Sequence, residues 1–404
     1  MVKMNSSVLM LRRALAISAI VGVLVACGSG SKSDLDAANN AIAPVTDTPP
    51  QPTNRGVLES VADVAVVTKV DSNAAALAAN VDTLAGPALC DVKIRYMVHS
   101  TVGPRNEAAK ASAALLVPTG VGCAGPFPII AYARGTSRDR NRTLARLGDP
   151  ETTLLINMFA ARGYVVVATD YLGYAGSDFS YHPYLDADTA AVSMIDSIRA
   201  AQSALRTAAV AVSGKIFLTG YSQGGHAALA AQREIERTTG LGFAIAAVGP
   251  MSGPYDLALT LQQGAAINLL PSLANEDGLA DDSRIRLVIS NGLVELVGNI
   301  AASGPIANLL AGESVIDYKP LAPVLLCGGA RDPTVPFVNA TAASTAFTAR
   351  GASNIVVDID REPAFAALRP APGVPVSALR SYHNRVVPPL CFQIVRDRLF
   401  EVYR

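Results

Sequence analysis

Histidine is scarce in this chain. Only four occur in 404 residues, His99, His182, His226 and His383, and they are scattered. No pair among them or among the five cysteines has the spacing of a zinc site, which argues against a metal centre and for no cofactor. Net charge is lacking too: 33 basic residues balance 33 acidic ones, so nothing electrostatic points to nucleic acid. Beyond the first apolar run, no stretch is long and apolar enough for a membrane-spanning helix. Half of the chain is apolar, enough for one large core or a core with a cap.

The apolar run at the start has its own reading. Lys3, Arg12 and Arg13 precede Ala14 to Ala26, a run too short to span a membrane comfortably, and residues 1–27 read as a signal peptide. Leu24-Val25-Ala26-Cys27 resembles the bacterial lipoprotein cleavage box, in which the cysteine is diacylated and becomes the new N-terminus. The expectation is an exported protein held at the cell envelope by a lipid on Cys27. The Gly28-Ser29 pair lacks the aspartate of an inner-membrane retention signal, which favours the outer membrane or cell surface. Residues 28–56, rich in Gly, Ser, Asn and Pro without apolar period, read as a flexible tether, so the folded domain is expected over 57–404.

Four cysteines then remain, an even number suited to an oxidising compartment. If residues 91 to 101 and 108 to 117 form a hairpin turning around Gly103 to Asn106, opposed positions sum to about 210. Cys90 then lies near position 120, beside Cys123. Cys327 with Cys391 follows by elimination.

Past the hairpin, Phe127 to Ala133 and the β-branched run Tyr164 to Thr169 look like strands buried on both faces. Thr152 to Arg162 and Ala187 to Ala208 show helical spacing, the latter with Asp186 or Asp188 available as a cap. Lys215 to Thr219 is a further strand, followed by a helix to about Arg237, and strands are expected at Ile245 to Met251 and Pro323 to Cys327. Alternation of this kind implies a mostly parallel sheet with helices on both faces. Opened by an antiparallel hairpin, it fits the α/β-hydrolase fold. The long segment between the last two strands is expected to be a helical cap insertion at about 256–320, with short apolar helices such as Ala265 to Leu273 and Leu293 to Leu310.

Gly220-Tyr221-Ser222-Gln223-Gly224 is a G-x-S-x-G sequence placed between a strand and a helix. Such a turn holds the serine in a strained conformation at a helix N-terminus, where developing negative charge is favoured. Ser222 is therefore the candidate nucleophile. A serine hydroxyl needs a base, and the base needs an orienting carboxylate. In the hydrolase order of serine, acid, histidine, His383 alone follows a plausible acid. His226 lies one helical turn past Ser222, His99 is in the hairpin, and His182 reads as structural or pocket wall. Asp332 follows an apolar strand and a Gly-rich loop, the position the acid requires; Asp256, Asp358 and Asp360 are the rivals. Of the two oxyanion donors, one is the N–H of Gln223 and the other that of Gly135 or Thr136, in the loop after the strand ending near Ala133.

Arg134-Gly135-Thr136, Asp170-Tyr171-Leu172-Gly173-Tyr174, His182-Pro183-Tyr184, the run Ser213 to Gln232 and the Asp332 loop resemble those of exported bacterial α/β-hydrolases related to secretory lipases. The resemblance spans roughly residues 88 to 400 and implies ester hydrolysis of a small-molecule or lipid ester. Relatives carry His-Gly before the threonine, whereas position 134 here is arginine. A cap rich in Ala, Leu and Ile favours apolar acyl groups. The alternatives are a peptidase or amidase with the same triad, and a lipoprotein that binds apolar ligands without turnover.

Overall fold

The computed structural model describes residues 54–404 apart from 239, 263–310, 372, 375–378 and 380. The segments expected to be a signal peptide and a tether, with Cys27, lie outside the described residues but for the last few positions of the tether. So does most of the segment expected to be a cap, including both apolar stretches expected to be helices.

Nine strands form one sheet in the order β1-β2-β3-β5-β4-β6-β7-β8-β9. They are β1 Leu58–Val67, β2 Asp91–Val102, β3 Ala108–Thr119, β4 Phe127–Ala133, β5 Val165–Thr169, β6 Val212–Tyr221, β7 Ala244–Met251, β8 Val324–Gly328 and β9 Asn354–Asp358. β1, β2, β3 and β5 pair antiparallel in turn, and the sheet is parallel from β5 onward. This is the α/β-hydrolase fold. The hairpin register runs from Asp91 opposite Thr119 to Val102 opposite Ala108, the register that sets Cys90 beside Cys123. Both disulfides are present, Cys90–Cys123 closing the base of the hairpin and Cys327–Cys391 tying β8 to a C-terminal helix.

The edge strand β1 had no counterpart among the elements expected from sequence. Most of its residues are exposed or half-buried, so its apolar pattern is weak. Pairing with β2 creates it, not a buried face of its own.

Alternate residues of the inner strands enter different cores because strand side chains point to opposite faces. Ile130 and Tyr132 pack with helices α1 Lys69–Ala78 and α2 Pro150–Met158 and with a C-terminal helix at Val387–Val395. Ile129, Ala131 and Ala133 pack with α3 Ala187–Thr207, α4 Gln223–Arg237 and a helix at Val338–Ala349. Asp186 caps α3 by accepting from Thr189 N. The expected helix from Thr152 to Arg162 is interrupted: α2 ends at Met158 and a 3₁₀ turn follows at Ala160–Arg162, closed by Gly163 in the left-handed region.

α5 Leu257–Gln262 follows β7, and residues 313 and 314 contact α3 and α4. There Glu313 Oε2 accepts from Ala187 N, and Arg233 Nη1 donates to the Ser314 carbonyl. α6 is the Val338–Ala349 helix, α7 the single turn Tyr382–Arg385, and α8 Val387–Val395.

Candidate active site

The turn from β6 into α4 carries Ser222 with φ 57° and ψ −122°, a conformation that costs a non-glycine residue about 1–3 kcal/mol. The turn is tight because its neighbours are glycines. A Cβ on Gly224 would lie 1.8 Å from the carbonyl oxygen of Ala133, and one on Gly220 would lie 2.1 Å from that of Gly224. Both are backbone atoms, one at the end of β4 and one in the first turn of α4, and cannot step aside. Gly224→Ala is therefore expected to cost more than ~4 kcal/mol, leaving little folded protein on purification. A melting temperature equal to the parent's would show that the elbow is not packed as described.

Three elements converge on this turn. His383, on α7, places Nε2 2.9 Å from Ser222 Oγ and Nδ1 2.6 Å from Asp332 Oδ2. A carboxylate only accepts, so Nδ1 carries the proton and Nε2 is free to accept from the serine hydroxyl. Asp332 lies past the end of β8, and its Oδ1 accepts from Thr334 N at 2.8 Å and Val335 N at 3.1 Å, which leaves Oδ2 aimed at the imidazole. All three side chains are buried.

The rival carboxylates are occupied elsewhere. Asp256 Oδ1 accepts from Leu259 N in the first turn of α5. Asp358 Oδ1 accepts from Ala330 N, and Asp360 Oδ2 from Arg331 N, so both hold up the loop that presents Asp332. A second serine–histidine contact exists, with Ser197 Oγ 3.3 Å from His99 Nε2. Its neighbour Asp196 is engaged by Thr101, Arg55 and Arg199 instead. Ser197 Oγ donates to the Ser193 carbonyl at 2.7 Å, so its proton is already committed. That cluster pins α3 to β2.

The loop after β4 brings Gly135 and Thr136 beside the elbow. The N–H of Gly135 donates to Glu151 Oε1 at 3.0 Å and is spent on bracing the loop. Of the two expected oxyanion donors in this loop, Gly135 and Thr136, the first is thus occupied by Glu151. Glu151 also receives Tyr132 Oη at 2.5 Å and Arg142 Nη2 at 2.7 Å.

Two contributors were not legible beforehand. Tyr221 fills the unspecified place in the serine motif; its Oη lies 2.5 Å from the His383 carbonyl and 3.0 Å from Asn384 Oδ1, and its ring packs on the imidazole. Glu151 lies far from any motif and just before the helix expected from Thr152, so no local signal points to it. Among the described residues no cluster of His, Cys, Asp and Glu is placed to hold a metal ion.

Two other histidines are held neutral. Burial foremost, and then the charge of Arg134, lowers His182 from the ordinary 6.5 to about 3. Burial also lowers His226 to about 4, and its Nε2 donates to the Glu313 carbonyl at 2.7 Å. Both groups bind a proton more readily in the unfolded chain. Their effect is absent above about pH 6.5, and stability falls as pH drops toward 4, by up to ~1.4 kcal/mol per pH unit for each. Asp170, whose pKa burial raises, opposes this at the acid end. Urea denaturation between pH 7 and 4.5 is expected to show the decline, and His226→Gln to flatten it; an unchanged slope would exclude His226 as a source.

Residues 147–251, which include the elbow, match the family model described as secretory lipase. The chain is a lipase/esterase-like carboxylic ester hydrolase. The crystal structure of a rice cell wall degrading esterase, LipA from Xanthomonas oryzae, is similar at TM-score 0.73 and 29% identity, over 87% of this chain and 100% of that one. A putative hydrolase from Legionella pneumophila shares the fold at TM-score 0.61 and 22% identity, over 74% of this chain and 91% of its own. Candida antarctica lipase A does so at TM-score 0.52 and 17% identity, over 75% and 76% of the two chains. No curated protein matches significantly in sequence. No helix among the described residues is long and apolar enough to cross a membrane.

Proposed function

We propose that this hydrolase is an exported serine carboxylesterase acting on apolar acyl esters through an acyl-enzyme. The observation that carries this is the unbroken relay from Asp332 through His383 to Ser222, at 2.6 and 2.9 Å, on a strained elbow at the N-terminus of α4. Ser222 Oγ attacks the ester carbonyl carbon while its proton passes to His383 Nε2. Asp332 holds the imidazole's tautomer and stabilises the imidazolium, and the N–H groups of Gln223 and Thr136 receive the oxyanion. As the tetrahedral species collapses, the alcohol leaves with the proton from His383. Water then enters by the same route and releases the acid.

The comparison with the Xanthomonas oryzae esterase supports an ester found in plant cell walls as one substrate class. The Ala-, Leu- and Ile-rich segment at about 256–320, read as a cap, supports an apolar acyl group. The two disulfides and the match to secretory lipases support export, and the lipoprotein-like box at Cys27 supports anchoring at the envelope through the tether of residues 28–56.

The test is a p-nitrophenyl ester series from acetate to palmitate on the full chain in detergent, beside a matched anilide. A fluorophosphonate probe is then located by peptide mass spectrometry. Hydrolysis of the esters with the label on Ser222 is expected. Inertness on every ester with Ser222 unlabelled would sink the proposal, and turnover of the anilide alone would make the protein an amidase.

A further inference from the structure

Arg134 is wholly buried beside the candidate active site, and its Nε has no hydrogen-bond partner. Burying a guanidinium costs several kcal/mol unless its surroundings compensate. Here the compensation has a direction. Nη1 donates to the carbonyl of Gly135 at 2.9 Å and Nη2 to that of Asp170 at 3.1 Å, while the guanidinium carbon sits 4.0 Å from the ring centre of Tyr174 and 5.4 Å from that of Tyr171. The peptide unit is planar and trans, so the Gly135 carbonyl and the Thr136 N–H point opposite ways in one rigid plane. A guanidinium that holds the carbonyl therefore holds the N–H.

The same two tyrosines pack against His182, at 4.9 Å for Tyr174 and 5.4 Å for Tyr171. His182 Nδ1 meets the Leu172 carbonyl at 3.0 Å and must carry the ring proton, so Nε2 accepts from Gln223 Nε2, 2.6 Å away. Protonation of Nε2 would abolish that bond, and both burial and the nearby Arg134 charge oppose it. Tyr184 completes the link, with its ring against His182 and its Oη 3.1 Å from Thr136 Oγ1.

We propose that Arg134 and His182 are positioning residues for the oxyanion hole, Arg134 setting the Thr136 N–H through the Gly135 carbonyl and His182 setting residue 223 through its side-chain amide. The inference rests on the serine-esterase reading above. Both side chains are buried. Both act by holding a backbone donor where charge develops, an effect that favours the transition state over bound ester and so falls on kcat.

The test uses the full-length protein with p-nitrophenyl butyrate. Arg134→Met, His182→Phe and Gln223→Met are each expected to lower kcat about tenfold to a hundredfold, with KM changing less than about threefold. Gln223→Met removes only the side-chain donor and leaves the ring cluster whole, so it carries the test if either other variant fails to fold. The double variant His182→Phe/Gln223→Met is expected to be no slower than the worse single one, because both break one hydrogen bond. Folded variants with parental kcat, a rise in KM equal to the fall in kcat, or losses that multiply in the double variant would overturn the proposal. Failure of the esterase reading looks different: Ser222→Ala would then hydrolyse the ester as fast as the parent.

Discussion

Ser222→Ala and His383→Ala are each expected to lower kcat on p-nitrophenyl butyrate by about 10⁵-fold or more, and the double variant to lose no more than either single one. Residues that act as a unit behave this way, since removing one leaves the others without a role. The geometry supplies the reason: His383 has one acceptor nitrogen for the Ser222 proton and one N–H on Asp332, so it has no second partner to fall back on. Asp332→Asn is expected to cost about 10⁴-fold, because an amide at Oδ2 reverses the hydrogen bond and favours the wrong tautomer. Single-turnover kinetics on folded variants decide the matter. A loss below tenfold for Asp332→Asn would move the acid to another carboxylate. Asp358 would be the first to try, because it lies on the same loop support.

Replacing Cys327 and Cys391 together by alanine is expected to cost about 4 kcal/mol of stability and to lower kcat as well. The bridge closes a separation of 64 residues, and opening it frees the unfolded chain by roughly that amount in the chain-entropy account. Its position matters more than its length. Cys327 lies in β8 just before the Asp332 loop, and Cys391 lies in α8 just after His383, so the bridge joins the supports of Asp332 and His383. The Cys90→Ala/Cys123→Ala pair closes a separation of 33 residues at the base of the hairpin and is the control. It should lose stability to a similar degree, about 3–4 kcal/mol, with kcat unchanged. Urea midpoints and kcat measured on both pairs separate the two effects. Equal kcat for both would show that the bridge near the site stabilises the fold without positioning its chemistry.

Legibility differed from element to element for physical reasons. β4 and β5 were readable because strands buried on both faces must be apolar throughout, and β4 spans the expected residues Phe127–Ala133. The hairpin register was readable because pairing is periodic and its turn was marked by glycine and asparagine. β1 was not, since an edge strand leaves most of its side chains in water. The same holds within the site. A G-x-S-x-G turn has a local steric requirement, and the structure shows it as backbone oxygens crowding the places where a Cβ would stand on Gly220 and Gly224. His383 and Asp332 could be nominated by elimination among four histidines and by position after a strand. Their hydrogen bonds depend on contacts across 161 and 51 residues of chain, which no local pattern encodes.

What the sequence determined by itself is whatever has a local cause: the alternation of strands and helices, the hairpin and its disulfide, and the serine turn with its glycines. What only the tertiary structure decided is how groups distant in the chain are shared out. Glu151 takes the Gly135 N–H, Asp358 and Asp360 support the Asp332 loop, and His182 holds Gln223. A carboxylate or an imidazole has few hydrogen-bonding places, and burial forces each to be filled by whatever the fold brings within about 3 Å. Sequence names the groups that can bond, and packing chooses the partner.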